Sequence, residues 1–114
     1  MVHASYETGK EVFAGRLDEE EGAEELRLQH RMNKNSAKMH ISAYCSMMGG
    51  VPYHWPINKY AMRYYLESIF RENGREALRR ALASLDGHIE NRMERGYAPP
   101  RSQREVYREF YGFI

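Results

Sequence analysis

The sequence predicts a mainly α-helical, compact single domain of four or five helices, with a short β-hairpin near the N-terminus. Its 114 residues suit one domain that buries a core without a disulfide or structural metal. Apolar residues recur at helical spacing through most of the second half, and Gly, Asn and Pro separate these stretches. Nine Tyr and four Phe residues argue against disorder, although the mean hydropathy is −0.78.

Charge divides the chain into two parts. Residues 1–25 hold eight acidic and two basic residues, a net charge of −6, whereas residues 26–114 hold fifteen basic and eight acidic residues, a net charge of +7. We therefore interpret the first part as an acidic N-terminal segment and the second as a basic helical body. Such an asymmetry says more about binding partners than about fold.

The acidic segment is expected to contain the hairpin. Residues 5–7 and 11–13 flank Thr8-Gly9-Lys10, which is typical of two short strands and a turn. The acidic run at residues 18–25 is expected to be flexible because like charges repel.

The helical body begins with residues 22–48, in which Asn33-Lys34-Asn35 predicts a break, since asparagine favours a cap over a helix interior. The part after the break is apolar nearly all round, as in a central, buried helix. Gly49-Gly50 should end it, and residues 51–56 should form a stiff aromatic loop.

Residues 57–72 place apolar side chains on one broad helical face, and Asn73 is expected to cap the next helix. That helix carries the clearest apolar stripe in the chain, formed by Leu78, Leu82, Leu85, Ile89 and Met93. Gly87 lies within the stripe without shifting its phase. One continuous helix is therefore favoured over a helix-turn-helix motif.

The last helix should begin at the capping box Ser102-Gln103-Arg104-Glu105, after two prolines. Its apolar side chains recur at helical spacing at Val106, Tyr107, Phe110 and Tyr111. This pattern predicts a short amphipathic helix that docks the C-terminal end onto the core.

Two groups of arginines are the candidate binding residues for nucleic acid or an acidic protein surface: Arg71, Arg75 and Arg79 in the first, and Arg101, Arg104 and Arg108 in the second. Guanidinium groups suit phosphate and give salt-dependent, sequence-independent affinity. The alternative is that these are solvated helix faces, with Glu76 neutralising Arg80 and Glu105 neutralising Arg101 and Arg108.

Tyr53, His54 and Trp55 are candidate protein-contact residues, because rigid aromatic side chains lose little entropy on binding. The alternative is that Trp55 covers the core. The sequence offers no catalytic motif, no cofactor motif and no metal-ligand spacing. Cys45, the one cysteine, is expected to be an inert buried thiol.

These features predict a small non-enzymatic binding or regulatory protein whose basic body engages nucleic acid or a nucleic-acid-handling complex. The alternative is a protein-directed inhibitor or adaptor of the phage or mobile-element type. A lone cysteine favours a cytoplasmic location, and the absence of a long apolar run disfavours membrane insertion. The aromatic and methionine content also allows a homodimer.

Overall fold

A computed structural model of the chain describes residues 1–98 and 100–114. These residues form six α-helices and no β-strand: α1 Val2–Phe13, α2 Glu19–His30, α3 Lys34–Gly49, α4 Lys59–Asn73, α5 Arg75–Glu94 and α6 Arg101–Tyr111. The prediction of a helical single domain is confirmed. The predicted hairpin is wrong, and the helix count is six instead of four or five.

The segment predicted as a hairpin forms helix α1, because Gly9 allows close packing of two helices and does not form a turn. A Cβ atom at Gly9 would lie 2.9 Å from Cδ2 of Tyr44 on α3. Only glycine therefore lets the α1 backbone come this close to the Tyr44 ring. Ser5, Tyr6 and Thr8 are buried on the same side of α1, which is a helical pattern.

The acidic run forms the N-cap and the first turns of α2. The Asp18 carboxylate accepts a hydrogen bond from the Glu21 amide, and the Glu21 side chain accepts one from the Asp18 amide. Acidic residues are favourable here because they face the positive end of the helix dipole. The division at residue 25, drawn from charge alone, falls inside α2.

Ion pairs join α2 to α3. Glu20 lies 2.5 Å from the ammonium groups of both Lys34 and Lys38. The hydrogen bonds from these two lysines lower the pKa of the Glu20 carboxyl to about 2. Part of the acidic charge is thus neutralised within the N-terminal half.

The helices stack so that α2 and α6 have different packing partners. α2 packs on α1 and α3, whereas α6 packs on α4 and α5. Between them, α3 contacts α5 and α1 contacts α4. The core is continuous across this junction and includes Tyr6, Tyr44, Met47, Tyr65, Leu66, Leu78, Leu82 and Val106. The acidic α2 and the arginine-rich α6 therefore belong to opposite halves of the fold.

Helix caps correct several sequence predictions. Asn33 and Gly50 bound α3, so the predicted break and end are confirmed. Asn73 is instead the last residue of α4, and Gly74 takes the N-cap position of α5 at φ +91°, which disfavours a residue with a side chain. α6 begins at Arg101 without a side-chain cap, so the capping box at Ser102 is wrong.

Cys45 is half-buried instead of fully buried. Burial, and then the charge of Glu19, raise the pKa of its thiol to about 11. Only about a thousandth of the thiol is then ionised at pH 8, and the thiolate is the reactive form. We expect Cys45 to react about a hundredfold more slowly with a thiol reagent in the native state than in urea, and to react faster as pH rises towards 11. Equal rates in the two states would contradict this prediction.

Candidate nucleic-acid interface

The acidic side chains of α6 turn towards α4. Glu105 accepts a hydrogen bond from Lys59 at 2.9 Å, and Glu109 accepts two from Arg63 at 2.5 and 3.1 Å. The Lys59 ammonium, followed by the more distant Arg101 and Arg108, lowers the pKa of the Glu105 carboxyl. The two basic residues are four positions apart on α4, and the two acidic residues are four positions apart on α6, so both pairs form along the same side of the helix contact.

This pairing leaves the arginines of α6 without close acidic partners. Within the part of the chain that the structure describes, no carboxylate lies within 4.0 Å of Arg101, Arg104 or Arg108. Arg101 and Arg108 are exposed, and Arg104 is half-buried with a nitrogen 2.8 Å from the sulfur of Met93. Glu105 accepts its close hydrogen bond from Lys59 and interacts with Arg101 and Arg108 only at longer range.

Open grooves lie on both sides of this arginine row. One, of about 510 Å³, is bordered by Ala98, Glu105 and all three arginines. The other, of about 420 Å³, separates Arg104 and Arg108 from Asp86 and Glu90 on α5, with Ile89, Met93 and Tyr107 between them. The first groove has one carboxylate, which Lys59 pairs, whereas the second has two, so the first groove is the better anion surface.

The other predicted arginine cluster lies elsewhere. Arg71 lies in the last turn of α4, while Arg75 and Arg79 lie in the first turns of α5, about 27 and 21 Å along that helix from Met93, which Arg104 of α6 contacts. Arg71 is 4.0 Å from Glu72, and Arg79 is 3.5 Å from Glu76. The fold therefore does not bring the two clusters together.

The aromatic loop separates its three candidate contact residues. Tyr53 is 1% exposed, so it is not available to a partner. Its ring stacks on His88 at 4.1 Å, and Nδ1 of His88 donates a hydrogen bond of 2.6 Å to the Tyr53 carbonyl. Burial lowers the pKa of His88 and favours the neutral ring. Trp55 is 53% exposed and His54 is also exposed, so Tyr53, and not Trp55, covers the core.

Gly87 explains how this loop reaches α5. A Cβ atom at Gly87 would lie 2.5 Å from Cγ of Pro52, whose ring cannot bend away. The glycine within the apolar stripe is therefore a docking site for the loop, and α5 runs through it unbroken.

Gly87→Ala should consequently displace the loop although alanine is the better helix former by about 1 kcal/mol. We expect a lower melting temperature and a shifted emission of Trp55, the one tryptophan. Gly49→Ala is the matched control, since a Cβ atom there meets nothing within 4 Å and should stabilise α3. A Gly87→Ala protein that gains as much stability as the control would contradict this account.

Beside the loop lies a third basic group, Arg92 and Arg95, which belongs to neither of the two candidate clusters. A small pocket of about 60 Å³ is lined by residues from the loop, from α5 and from the segment after it: Tyr53, His54, Trp55, His88, Asn91, Arg92, Arg95 and Tyr97. The Arg92 guanidinium lies over the Tyr97 ring, 4.5 Å from its centre. The loop residues of this pocket precede its α5 residues by about 40 positions, so helical spacing does not predict that they meet.

Comparison of the chain with models of protein families, with curated proteins and with solved structures gives no match. Among the described residues, no three His, Cys, Asp or Glu side chains are grouped as metal ligands would be. None of the six helices combines the length and apolar character that crossing a membrane requires.

Proposed function

We propose that this protein binds nucleic acid through Arg101, Arg104 and Arg108 on α6. The observation that carries the proposal is the pairing of Glu105 and Glu109 with α4, which leaves the three guanidinium groups without carboxylate partners. Their spacing of three and four residues places them in one row along the helix. A row of unpaired arginines suits the repeated charge of a phosphate backbone.

Arg71, Arg75 and Arg79 have a lesser part in the proposal. Two of the three have an acidic side chain within 4.0 Å, and they belong to a different region of the surface. They contribute to long-range attraction of a polyanion and not to the main contact. The protein is proposed to act by binding and not by catalysis.

The test is a salt-titrated binding measurement with a fluorescent oligonucleotide. Affinity should fall steeply between about 50 and 200 mM salt, with a linear log–log dependence, because binding releases counterions. The proposal would be refuted if the protein bound none of the four probes, single-stranded or duplex DNA or RNA, at about 50 mM salt.

The surface of α2 favours a second candidate function, contact with a basic protein. Leu28 is 66% exposed and borders an open groove of about 560 Å³. Four carboxylates and one ammonium group line this groove, together with Leu17 and Gln29: Glu20, Glu21, Glu24, Glu25 and Lys34. A second copy of this chain, presenting its basic α6, is one such partner and would account for a homodimer. Sedimentation velocity at low and high salt tests the homodimer. A dimer that dissociates at high salt supports the contact between α2 and α6, and a monomer at both salt concentrations excludes self-association.

The cytoplasm is the compartment that we propose. Nucleic acid and the complexes that handle it are present there, and a lone, half-buried thiol suits a reducing environment. Localisation of a fluorescently tagged protein in cells tests the assignment.

A further inference from the structure

The pocket beside Trp55 has the size and polarity of a site for a phosphate group. A cavity of about 150 Å³ takes a benzene ring, so an open pocket of about 60 Å³ is too small for a base and admits only the oxygens of a phosphate group seated at its mouth. Arg92 and Arg95 line it, and no carboxylate of the described residues lies within 4.0 Å of either guanidinium. The pocket therefore favours a small anion.

Its buried wall also favours a polar occupant. The Tyr53 hydroxyl and Nε2 of His88 are buried and lack a hydrogen-bond partner within the described structure. His88 is 1% exposed and lines the pocket, and its Nδ1 is already engaged with the Tyr53 carbonyl. Unpartnered buried polar atoms are costly. With Nδ1 donating, Nε2 of the neutral ring can only accept, so of these two groups the Tyr53 hydroxyl is the one that can donate to a phosphate oxygen.

The rim of the pocket is aromatic. Trp55 and Tyr97 are 53% and 54% exposed, and both line the pocket together with Arg92 and Arg95. The Arg92 guanidinium lies over the Tyr97 ring. A base attached to a phosphate in the pocket would remain outside it, where these rings offer stacking surfaces. Inside a duplex the bases are stacked on each other and cannot reach such rings.

We infer that this pocket and its rim bind an unstacked nucleotide of a single-stranded nucleic acid, with the phosphate between Arg92 and Arg95 and the base on Trp55. The inference rests on the proposed function and narrows its ligand to single strands. Trp55 also borders a separate groove of about 340 Å³, but Glu19 lines that groove and Lys38 in it is paired with Glu20, so the pocket beside Arg92 and Arg95 is the phosphate site.

Trp55 provides a direct test because it is the one tryptophan. Oligo(dT) should quench its fluorescence through base stacking, whereas a duplex of equal length should bind without comparable quenching. By anisotropy, Trp55→Ala should weaken oligo(dT) binding by about 5- to 100-fold. Trp55→Phe should restore much of the affinity. Tyr60→Ala, which removes an aromatic side chain that is 70% exposed on α4, is the matched control and should bind normally.

The outcomes separate this inference from the function on which it rests. Salt-sensitive binding of both oligonucleotides, with no quenching and no effect of Trp55→Ala, would overturn the single-strand site and leave nucleic-acid binding in place. Failure of both to bind would overturn both proposals. Equal affinity for thymidine monophosphate and oligo(dT) would overturn the inference of a single-stranded ligand and identify a free nucleotide as the ligand.

Discussion

Replacing Leu82 by aspartate should unfold the protein. Leu82 is 1% exposed in the middle of α5, which packs against α3, α4 and α6. Truncation of such a leucine to alanine typically costs about 2–5 kcal/mol, and an unpaired buried carboxylate costs more. A domain of this size has a total stability of only about 5–15 kcal/mol. Circular dichroism and thermal melting measure the loss.

Ala83→Asp is the matched control for this substitution. Ala83 is the next residue of α5 and is exposed, so the same carboxylate remains in water. Its cost should stay below about 1 kcal/mol. Equal stability of the two variants would show that the buried face of α5 is misassigned.

Changing Arg101, Arg104 and Arg108 together to glutamine should remove most of the binding to nucleic acid. Each lost phosphate contact lowers the log–log salt slope, by about 2 in total for single strands and about 2.7 for duplexes. The fold should survive, because none of the three makes an ion pair within 4.0 Å among the described residues. Anisotropy over a salt series measures both the affinity and the slope.

The matched control removes the same charge from the other cluster, by changing Arg71, Arg75 and Arg79 to glutamine. Two of these arginines have carboxylates within 4.0 Å, so the loss of affinity should be smaller. An α6 variant that binds like the parent at every salt concentration would contradict the proposed interface. A larger loss in the control would move the interface to the turn between α4 and α5.

Periodicity predicted the helices whose apolar residues face one core. Leu78, Leu82 and Leu85 are buried at the expected spacing, and α6 buries Val106 and Phe110. The wrong secondary-structure predictions concern residues that occur in two different structural roles. Gly9 is typical of a turn but allows close contact with Tyr44.

The acidic run at residues 18–25 shows a similar ambiguity. Repeated acidic residues are typical of flexible segments, but at a helix N-terminus they also complete a capping box and meet the helix dipole. Which use applies depends on packing partners that are distant in sequence, such as Lys34 and Lys38.

The candidate site was predictable only in part. Spacing identified the arginine row of α6, but the local pattern suggested that Glu105 would neutralise it, and only the fold reveals Lys59 as its partner. The pocket beside Trp55 depends on Pro52 packing over Gly87, a contact between residues 35 positions apart. No local rule of helix or turn formation contains this information.

An NMR titration of the isotope-labelled protein with oligo(dT) tests most directly whether the C-terminal half is the nucleic-acid surface. We predict backbone amide shift changes concentrated in α6 and in residues 91–97, with a shift of the Trp55 indole signal and little change in α2. Changes confined to α2 or to the turn between α4 and α5, or no change at all under low-salt conditions, would contradict the account.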